Sequence, residues 1–225
     1  MSFLNGQVLK TIARLRAGTG DAELAVGEQP NKRVLFIRKG ELVGGVSDFP
    51  DERVGAMLAA AKMVDPALID AVAKAAAAQG RMLGDALIAE GLITPTDLAA
   101  VLENQTYVRF ERTLSMPGVV RERQLGTVRG VVRRPVGALL VAVFRDKLPP
   151  ATIETLMIFA PATRYALNGK DTELNDLALT PSETRTLRRL GQGEELQQLL
   201  STPQGEQAAR LVLALLSLGV VRAVP

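Results

Sequence analysis

The chain of 225 residues has neither cysteine nor histidine, so thiol nucleophiles, disulfide bonds, the usual zinc sites and histidine proton shuttles are excluded. Its composition, 47% hydrophobic and 23% charged, is that of a globular protein long enough for two small domains. The 27 basic and 24 acidic side chains leave a net charge of +3, a balance too even to predict binding to nucleic acid.

The N-terminal part of the chain predicts a helix followed by a small antiparallel β-meander. Residues 6–17 carry an apolar stripe with the period of a helix, and Gly18-Thr19-Gly20 ends it. Three strand candidates follow at residues 23–26, 33–37 and 41–46, separated by turn residues. We expect the helix to pack on the meander.

Residues 50–114 predict a helical region that contains an internal repeat. The first copy runs from Arg53 to Gln79, and the second runs from Met82 to Gln105. In each copy an apolar residue and a glycine open a short helix, and a proline starts the next helix. Because a single helical hairpin cannot bury its apolar face, the repeat predicts a helical-hairpin arm in which the two copies pack together.

The second copy has clear start and stop signals for its helices. Thr94 is predicted as the N-cap, Pro95 as the first helical residue, and Asp97 lies where the helix dipole favours a negative charge. Gly91 is predicted to end the preceding helix in a left-handed conformation. In the first copy, Asp65-Pro66 takes the place of Thr94-Pro95.

The C-terminal part predicts a helical lobe. An arginine-rich run over residues 121–134 leads into apolar helices and a short strand at residues 163–167. Thr180 and Glu183 have the spacing of a capping box, which starts the first of three short helices. With a terminal strand candidate at residues 220–224, these helices resemble a winged-helix lobe.

These elements together predict a helix-rich α+β fold. It comprises a small antiparallel β-meander with an N-terminal helix, a helical-hairpin arm and a C-terminal winged-helix-like lobe. We place the first domain at residues 1–115 and the second at residues 116–225. The apolar run at residues 211–221 is too short to span a bilayer, and the N-terminus lacks a secretory signal. We therefore expect a soluble, cytoplasmic protein without a membrane partner.

The first 110 residues resemble the PATAN family, a domain of bacterial regulators that often lies beside response-regulator receiver domains. The features behind the resemblance are the helix over residues 7–15, the turn 18–20, the strand 22–26 and the hairpin 33–43 with its Phe before the turn Gly. The C-terminal helices are similar to the tails of PATAN proteins tied to cell polarity and motility. The resemblance implies a non-enzymatic interaction or scaffold module in bacterial signalling, with a receiver-domain protein or a small-GTPase regulator as partner. A homodimer is also compatible with it.

The repeat is also similar to the N-terminal cyclic-di-GMP-binding domain of secretion and pilus ATPases, in which two tandem motifs hold one nucleotide. This resemblance implies a cyclic-di-GMP sensor as an alternative function, with the nucleotide candidates Arg53, Gly55, Arg81, Gly84, Gly91 and Gln105. Met82 stands at the family's Arg position, with Arg81 displaced by one, and Lys62 replaces the second Gly of the first copy. A capped hairpin explains the same glycines as packing and capping positions, and we favour that interpretation.

Six further residues are candidates for contacts with a protein partner: Phe36, Arg38, Lys39, Arg129, Arg133 and Arg134. Arg129, Arg133 and Arg134 belong to the arginine-rich run over residues 121–134, which could bind phosphates or an anionic partner, since guanidinium forks suit carboxylate and phosphate. The run could also form a solvated or interdomain face paired with local Glu, and we favour that interpretation. DNA binding through Arg185, Arg188 and Arg189 is a third functional alternative, which the neighbouring glutamates disfavour. No residues support an enzymatic activity, a cofactor or a metal site.

Overall fold

The structure, a computed structural model, describes residues 4–128, 132–158, 164–168 and 171–224. It confirms the helix-rich α+β class: 55% of the residues are helical and 18% lie in strands, with ten α-helices and a five-stranded antiparallel sheet in the described part of the chain. No helix in these ranges is long and apolar enough to cross a membrane.

The predicted meander is confirmed and forms the centre of the five-stranded sheet. The strands are β1 (Asp21–Glu28), β2 (Asn31–Arg38), β3 (Glu41–Ser47), β4 (Val120–Gln124) and β5 (Arg134–Pro135). Their order is β4-β1-β2-β3-β5, with Ala22 opposite Gln124 and Glu41 opposite Pro135. β4 falls in the arginine-rich run, for which the sequence predicts no strand. It is an edge strand that is charged on both faces, so it has no apolar alternation to reveal it.

Contacts within the chain define two compact units that alternate along the sequence. The first unit contains Met1–Asp21, Arg38–Leu42 and Arg134–Pro225, and the second contains Ala22–Ile37 and Val43–Arg133. The predicted domains, residues 1–115 and 116–225, stay a prediction, because contacts in a folded chain do not test which segment folds by itself.

The first unit is mainly helical. Its helices are α1 (Gly6–Ala17), α6 (Val136–Asp146), α7 (Pro150–Ile158), α8 (Pro181–Gly191), α9 (Leu196–Leu200) and α10 (Gly205–Ser217). Helix α1 begins at Asn5, whose Oδ1 accepts hydrogen bonds from the amides of Gln7 and Val8. Helix α8 begins at the predicted capping box, in which Thr180 and Glu183 exchange side-chain-to-backbone hydrogen bonds.

Helix α10 supplies the core of the first unit. All residues from Leu211 to Leu215 are buried, and α10 packs on α1, α6, α7 and α9. It begins at Gly205, where a Cβ would lie 2.0 Å from the Leu200 carbonyl oxygen, so only glycine fits at this position. The predicted terminal strand is present as β7 (Val221–Val224), which pairs antiparallel with β6 (Arg164–Leu167).

The second unit contains the predicted helical repeat. The first copy consists of α2 (Val54–Ala60) and α3 (Pro66–Ala78), and the second consists of α4 (Leu83–Ala89) and α5 (Pro95–Leu114). Gly91 has the predicted positive φ of 68°, and Lys62, its counterpart in the first copy, has a φ of 56°. The Thr94–Asp97 capping box is formed, and Asp65 Oδ1 accepts a hydrogen bond of 2.8 Å from the Ala67 amide.

The two copies share one apolar core, as the repeat predicts. Counterparts lie 29 positions apart in the sequence, as Leu58 and Leu87 do, or Val64 and Ile93. These four side chains are buried in the same cluster. A single hairpin has no partner against which to bury its apolar face. Each copy of the repeat provides that partner for the other, which is why two copies occur together.

Candidate functional site

A buried carboxylate, Glu52, lies at the centre of the main polar cluster of the second unit. Glu52 ends the 3-10 turn Pro50–Glu52 between β3 and α2, and it is only 1% exposed. Arg33 of β2 donates hydrogen bonds from Nε and Nη2 to Glu52 Oε1, at 2.9 and 2.6 Å. Two parallel N–H donors on one carboxylate form a strong, oriented ion pair.

Helix α5 surrounds the same carboxylate with three further side chains. Gln105, Arg109 and Arg112 are spaced four and three residues apart, which places them on one helix face. Gln105 Nε2 and Arg109 Nη2 donate to the backbone oxygen of Glu52, at 2.7 and 3.1 Å. Arg112 Nη1 donates to Glu52 Oε1 at 3.0 Å and to Asp51 Oδ2 at 2.5 Å.

The cluster keeps Glu52 ionised. Burial alone would raise the pKa of Glu52, but hydrogen bonds from Arg33, Ser47 and Arg112 outweigh burial and bring this pKa below its ordinary value. Burial lowers the pKa of Arg109, and the hydrogen bond to Asp51 raises the pKa of Arg112. Arg109 and Arg112 stay charged, because a guanidinium group is effectively always protonated in a protein.

The guanidinium of Arg33 is also packed between apolar groups. It lies over the ring of Phe49, 3.9 Å from the ring centroid, and its Nη1 lies 3.3 Å from Met116 Sδ. A cation on the face of an aromatic ring is attracted to the ring's negative potential. Arg33 is therefore held on one face by Phe49 and along its edge by Glu52.

A groove of about 670 Å³ opens beside this cluster in the second unit. Its lining combines two arginines with apolar and small residues, and consists of Gly27, Glu28, Asn31, Arg33, Phe49, Arg112, Ser115, Met116, Pro117, Gly118 and Val119. The loop after α5 forms one wall, and the amide of Gly27 donates a hydrogen bond of 3.1 Å to the Val119 carbonyl. Gly27 has a positive φ of 81°, and a Cβ there would lie 2.3 Å from the Asn31 carbonyl oxygen, so only glycine fits at this edge of the groove.

The nucleotide candidates of the repeat lie at helix contacts, at a helix end and on the surface. A Cβ at Gly55 would lie 2.9 Å from Ile69 Cγ2, and one at Gly84 would lie 2.8 Å from Leu98 Cδ2. Both glycines therefore allow close helix packing. Gly91 ends α4 in the left-handed conformation.

The remaining nucleotide candidates do not converge on these glycines. Arg53 and Arg81 are exposed, and Arg81 Nη2 lies 3.5 Å from the Asp85 carbonyl oxygen. Gln105 is buried and bonded to the backbone of Glu52. These placements agree with the packing interpretation of the repeat, and nucleotide binding by the six residues stays a prediction.

The candidates for partner contacts have varied surroundings. Phe36 is half-buried, and Arg38 Nε donates a hydrogen bond of 3.0 Å to Asp21. Lys39 is exposed at the tip of the β2–β3 hairpin with a positive φ of 49°. Arg133 and Arg134 are exposed, whereas Arg129 lies outside the described residues. Their role in binding a partner stays a prediction.

Of the residues that build the cluster, only Gln105 was predicted as a site residue, and the charged members were not. Pro50-Asp51-Glu52 has the pattern of a helix start, and a carboxylate there is expected to be exposed. The signal that could have found the cluster is the i, i+4, i+7 row of Gln105, Arg109 and Arg112, which puts polar groups on one helix face. Their shared partner, Glu52, lies 53 to 60 residues away in sequence, so only the fold reveals the pairing.

Comparisons of the chain with protein-family models, with curated proteins and with solved structures found no match. The resemblances to the PATAN family and to the cyclic-di-GMP-binding domain therefore stay predictions from the sequence. Within the described ranges, no group of three or more carboxylates lies close enough together to hold a metal ion. The chemistry of the candidate site consequently has to be argued from its arginines and its apolar wall.

Proposed function

We propose that the chain is a non-enzymatic protein-interaction module of bacterial signalling, acting in the control of cell polarity or motility. The observation that carries the proposal is the open groove of the second unit, where Arg112 and Val119 are exposed beside the half-buried ring of Phe49. Arginine and aromatic residues are among the residue types enriched at protein interfaces. The sequence resemblance to the PATAN family supports the signalling context.

Exposed apolar side chains also support a protein-binding surface on the second unit. Of the six large hydrophobic residues that are exposed in the described part of the chain, five belong to the second unit: Val46, Met63, Leu68, Met82 and Val119. Scattered exposed apolar residues are ordinary, but their concentration in the unit that also carries the groove favours a binding surface there. The capped helices and the buried ion pairs give this unit a preformed surface, which lowers the entropy lost on binding.

The test is co-purification of the full-length chain with a partner from its native bacterium, followed by reconstitution from purified components. We expect a complex of defined stoichiometry with a receiver-domain protein or a small-GTPase regulator, measured by light scattering and calorimetry. The same preparation from cells that express an unrelated tagged protein is the control. A chain that yields no reconstitutable complex contradicts the proposal.

A cyclic-di-GMP sensor is the second candidate, favoured by the tandem arrangement of the two helical copies. Its residues would include Arg53, which is exposed at the start of α2. Calorimetry with cyclic-di-GMP decides this candidate: absence of heat at high micromolar ligand ends it, and binding that survives Arg53→Ala contradicts this site.

DNA binding has less support than protein interaction or cyclic-di-GMP binding. Helix α10, the third helix of the C-terminal lobe, is largely buried, and Arg210 on it donates from Nη1 to the carbonyl oxygens of Phe144 and Leu148. Arg189 of α8 is bonded to Glu194. A mobility shift that weakens steeply with salt is the result that would revive this alternative, because phosphate contacts are salt-dependent.

A further inference from the structure

We propose that the groove beside Glu52 takes an acidic peptide segment of the protein partner. In this arrangement a carboxylate of the peptide binds the guanidinium of Arg112, and a neighbouring apolar side chain packs against Pro117 and Val119. The inference rests on the proposed function, and it adds the chemistry by which the partner is recognised.

The cluster has a surplus of positive charge. Three guanidinium groups face two carboxylates; the five residues are Arg33, Arg109, Arg112, Asp51 and Glu52. One positive charge is therefore left without a countercharge inside the cluster, in a place where burial makes charge costly. An anion supplied from outside would balance it, which is charge complementarity of the kind that selects a partner.

Arg112 is the member of the cluster that an anion can reach. Its side chain is 44% exposed, compared with 8% for Arg33 and 11% for Arg109. The hydrogen bonds that Arg112 makes to Asp51 and Glu52 both use Nη1. The Nε and Nη2 donors remain for a ligand, and a guanidinium edge of two N–H groups matches a carboxylate.

The wall of the groove suits an apolar side chain next to that carboxylate. Val119 is 50% exposed, and with Phe49, Met116 and Pro117 it gives the groove its apolar surface. The Gly27–Val119 backbone hydrogen bond holds this wall in place. A peptide with alternating acidic and apolar residues can therefore contact both the guanidinium of Arg112 and the apolar wall of the groove, which is already formed in the free protein.

A second copy of the chain fits the groove less well. A second copy of the chain that paired antiparallel along edge strand β4, centred on Glu122, would bring Arg121 opposite Arg123 and Glu122 opposite itself. Like charges directly opposite each other destabilise a strand pair.

The experiment measures peptide binding to the full-length chain by fluorescence anisotropy. The probes are two labelled peptide libraries: one alternates Asp or Glu with Leu, Val or Phe, and the other has Asn or Gln at every acidic position. We expect the acidic library to bind, with affinity that falls as salt is raised, and the amide library to bind at least about tenfold more weakly, a difference of about 1.4 kcal/mol. Equal binding of both libraries, or binding of neither, overturns the proposal.

Val119 offers a matched pair of variants. Val119→Glu places a negative charge in the groove and should weaken binding of the acidic library by about tenfold, whereas Val119→Lys should keep or strengthen it. The half-exposed side chain makes both variants compatible with folding, since the hydrogen bond at this residue uses its backbone. Arg112→Lys keeps the charge but loses the fork, and we expect a loss of about threefold.

The same variants separate this inference from the proposed function. If the co-purified partner binds Val119→Glu as tightly as the wild type, the partner uses another surface; the groove proposal is then overturned and the interaction function stands. If Val119→Glu instead converts a dimer into a monomer in light scattering, a second copy fills the groove, and the acidic-peptide proposal is wrong. Absence of any partner contradicts the proposed function itself.

Discussion

The two copies of the helical repeat have the same backbone plan and different uses. Helix α3 of the first copy has 13 residues, whereas α5 of the second copy has 20. The additional length of α5 carries Arg109 and Arg112, which reach Glu52 and the groove. Within the repeat, counterparts such as Leu58 and Leu87 serve one shared core. The comparison teaches that the repeated part provides packing and that the extension beyond it builds the site.

The turns of the two copies differ in a second way. Both turns need a residue with positive φ, and the first copy uses Lys62 where the second uses Gly91. Only glycine adopts this conformation without a steric cost from Cβ. The first copy therefore has backbone strain at Lys62 that the second copy avoids by using Gly91. We expect differences of this kind to affect the stability of the protein in four ways.

The largest effect is expected at Glu52, on which the extension of α5 converges. Glu52→Gln leaves three buried or half-buried arginines without their central countercharge, so we expect a loss of about 3–5 kcal/mol of unfolding free energy. Chemical denaturation monitored by circular dichroism measures it. Glu28→Gln is the control, because it breaks the exposed Glu28–Arg121 pair and should cost less than about 1 kcal/mol. Equal losses in the two variants would show that the cluster is no more important than a surface pair.

The second effect is the pH dependence that the same carboxylate produces. In the folded protein the pKa of Glu52 lies below its ordinary value of 4.5. The stabilisation that the ion pairs of Glu52 provide is therefore fully present above pH 4.5 and is lost as the pH falls through the pKa that Glu52 has in the folded state. We expect the unfolding free energy of the wild type to fall more steeply below pH 4.5 than that of Glu52→Gln. Parallel acid profiles for the two proteins would contradict the assigned role of Glu52.

The third prediction compares the counterpart glycines Gly55 and Gly84. A Cβ at Gly55 would meet Cγ2 of Ile69, which is stiff because it is β-branched, whereas a Cβ at Gly84 would meet the δ-methyls of Leu98, which can rotate. We expect Gly55→Ala to cost about 1–2 kcal/mol from overpacking, and Gly84→Ala to be near neutral because helix propensity offsets the contact.

Thermal unfolding of the two variants measures this difference. Gly6→Ala is the control, since a Cβ at this first residue of α1 meets no atom within 4 Å. It should leave the stability unchanged or raise it slightly. A larger loss at Gly84 than at Gly55 would reverse the comparison between the copies.

The smallest effects are expected at the two turns, with opposite signs. Gly91→Ala should lower the unfolding free energy by about 1 kcal/mol, because a Cβ is sterically disfavoured at positive φ. No neighbouring atom lies within 4 Å of a Cβ at this position, so no packing contact adds to this effect. Lys62→Gly should stabilise by between about 0 and 1 kcal/mol, since relief of strain exceeds the added entropy of the unfolded chain. Urea denaturation decides both, and two changes of the same sign would refute the strain argument.

Much of the fold could be predicted because its signals are local. The N-cap at Thr94, the capping box at Thr180 and the left-handed turn at Gly91 depend on residues a few positions apart, and all three are confirmed. The meander and the repeat follow from hydrophobic period and turn residues in the same way. Strand β4 was missed because an edge strand with charged residues on both faces has no such period.

The sequence predicted one residue of the candidate site, Gln105, and not the arrangement of the site. Gln105 is a nucleotide candidate from the repeat motif, and only the fold shows that it bonds to the backbone of Glu52. Glu52 follows a proline in the pattern of a helix start, which gives no sign that its side chain is buried. The groove needs the loop after α5 to approach Gly27, a contact between residues about ninety positions apart.

The amino-acid sequence by itself determined the helix caps, the turns of the meander and the repeat of the helical region, because caps, turns and apolar periods act over a few residues. The tertiary structure alone decided which charges meet and which become buried. Arg33, Glu52 and Arg112 come from a strand, a turn and the end of a long helix. Their ion pairs depend on long-range packing, and burial is what turns ordinary surface residue types into a cluster with a positive surplus beside a groove.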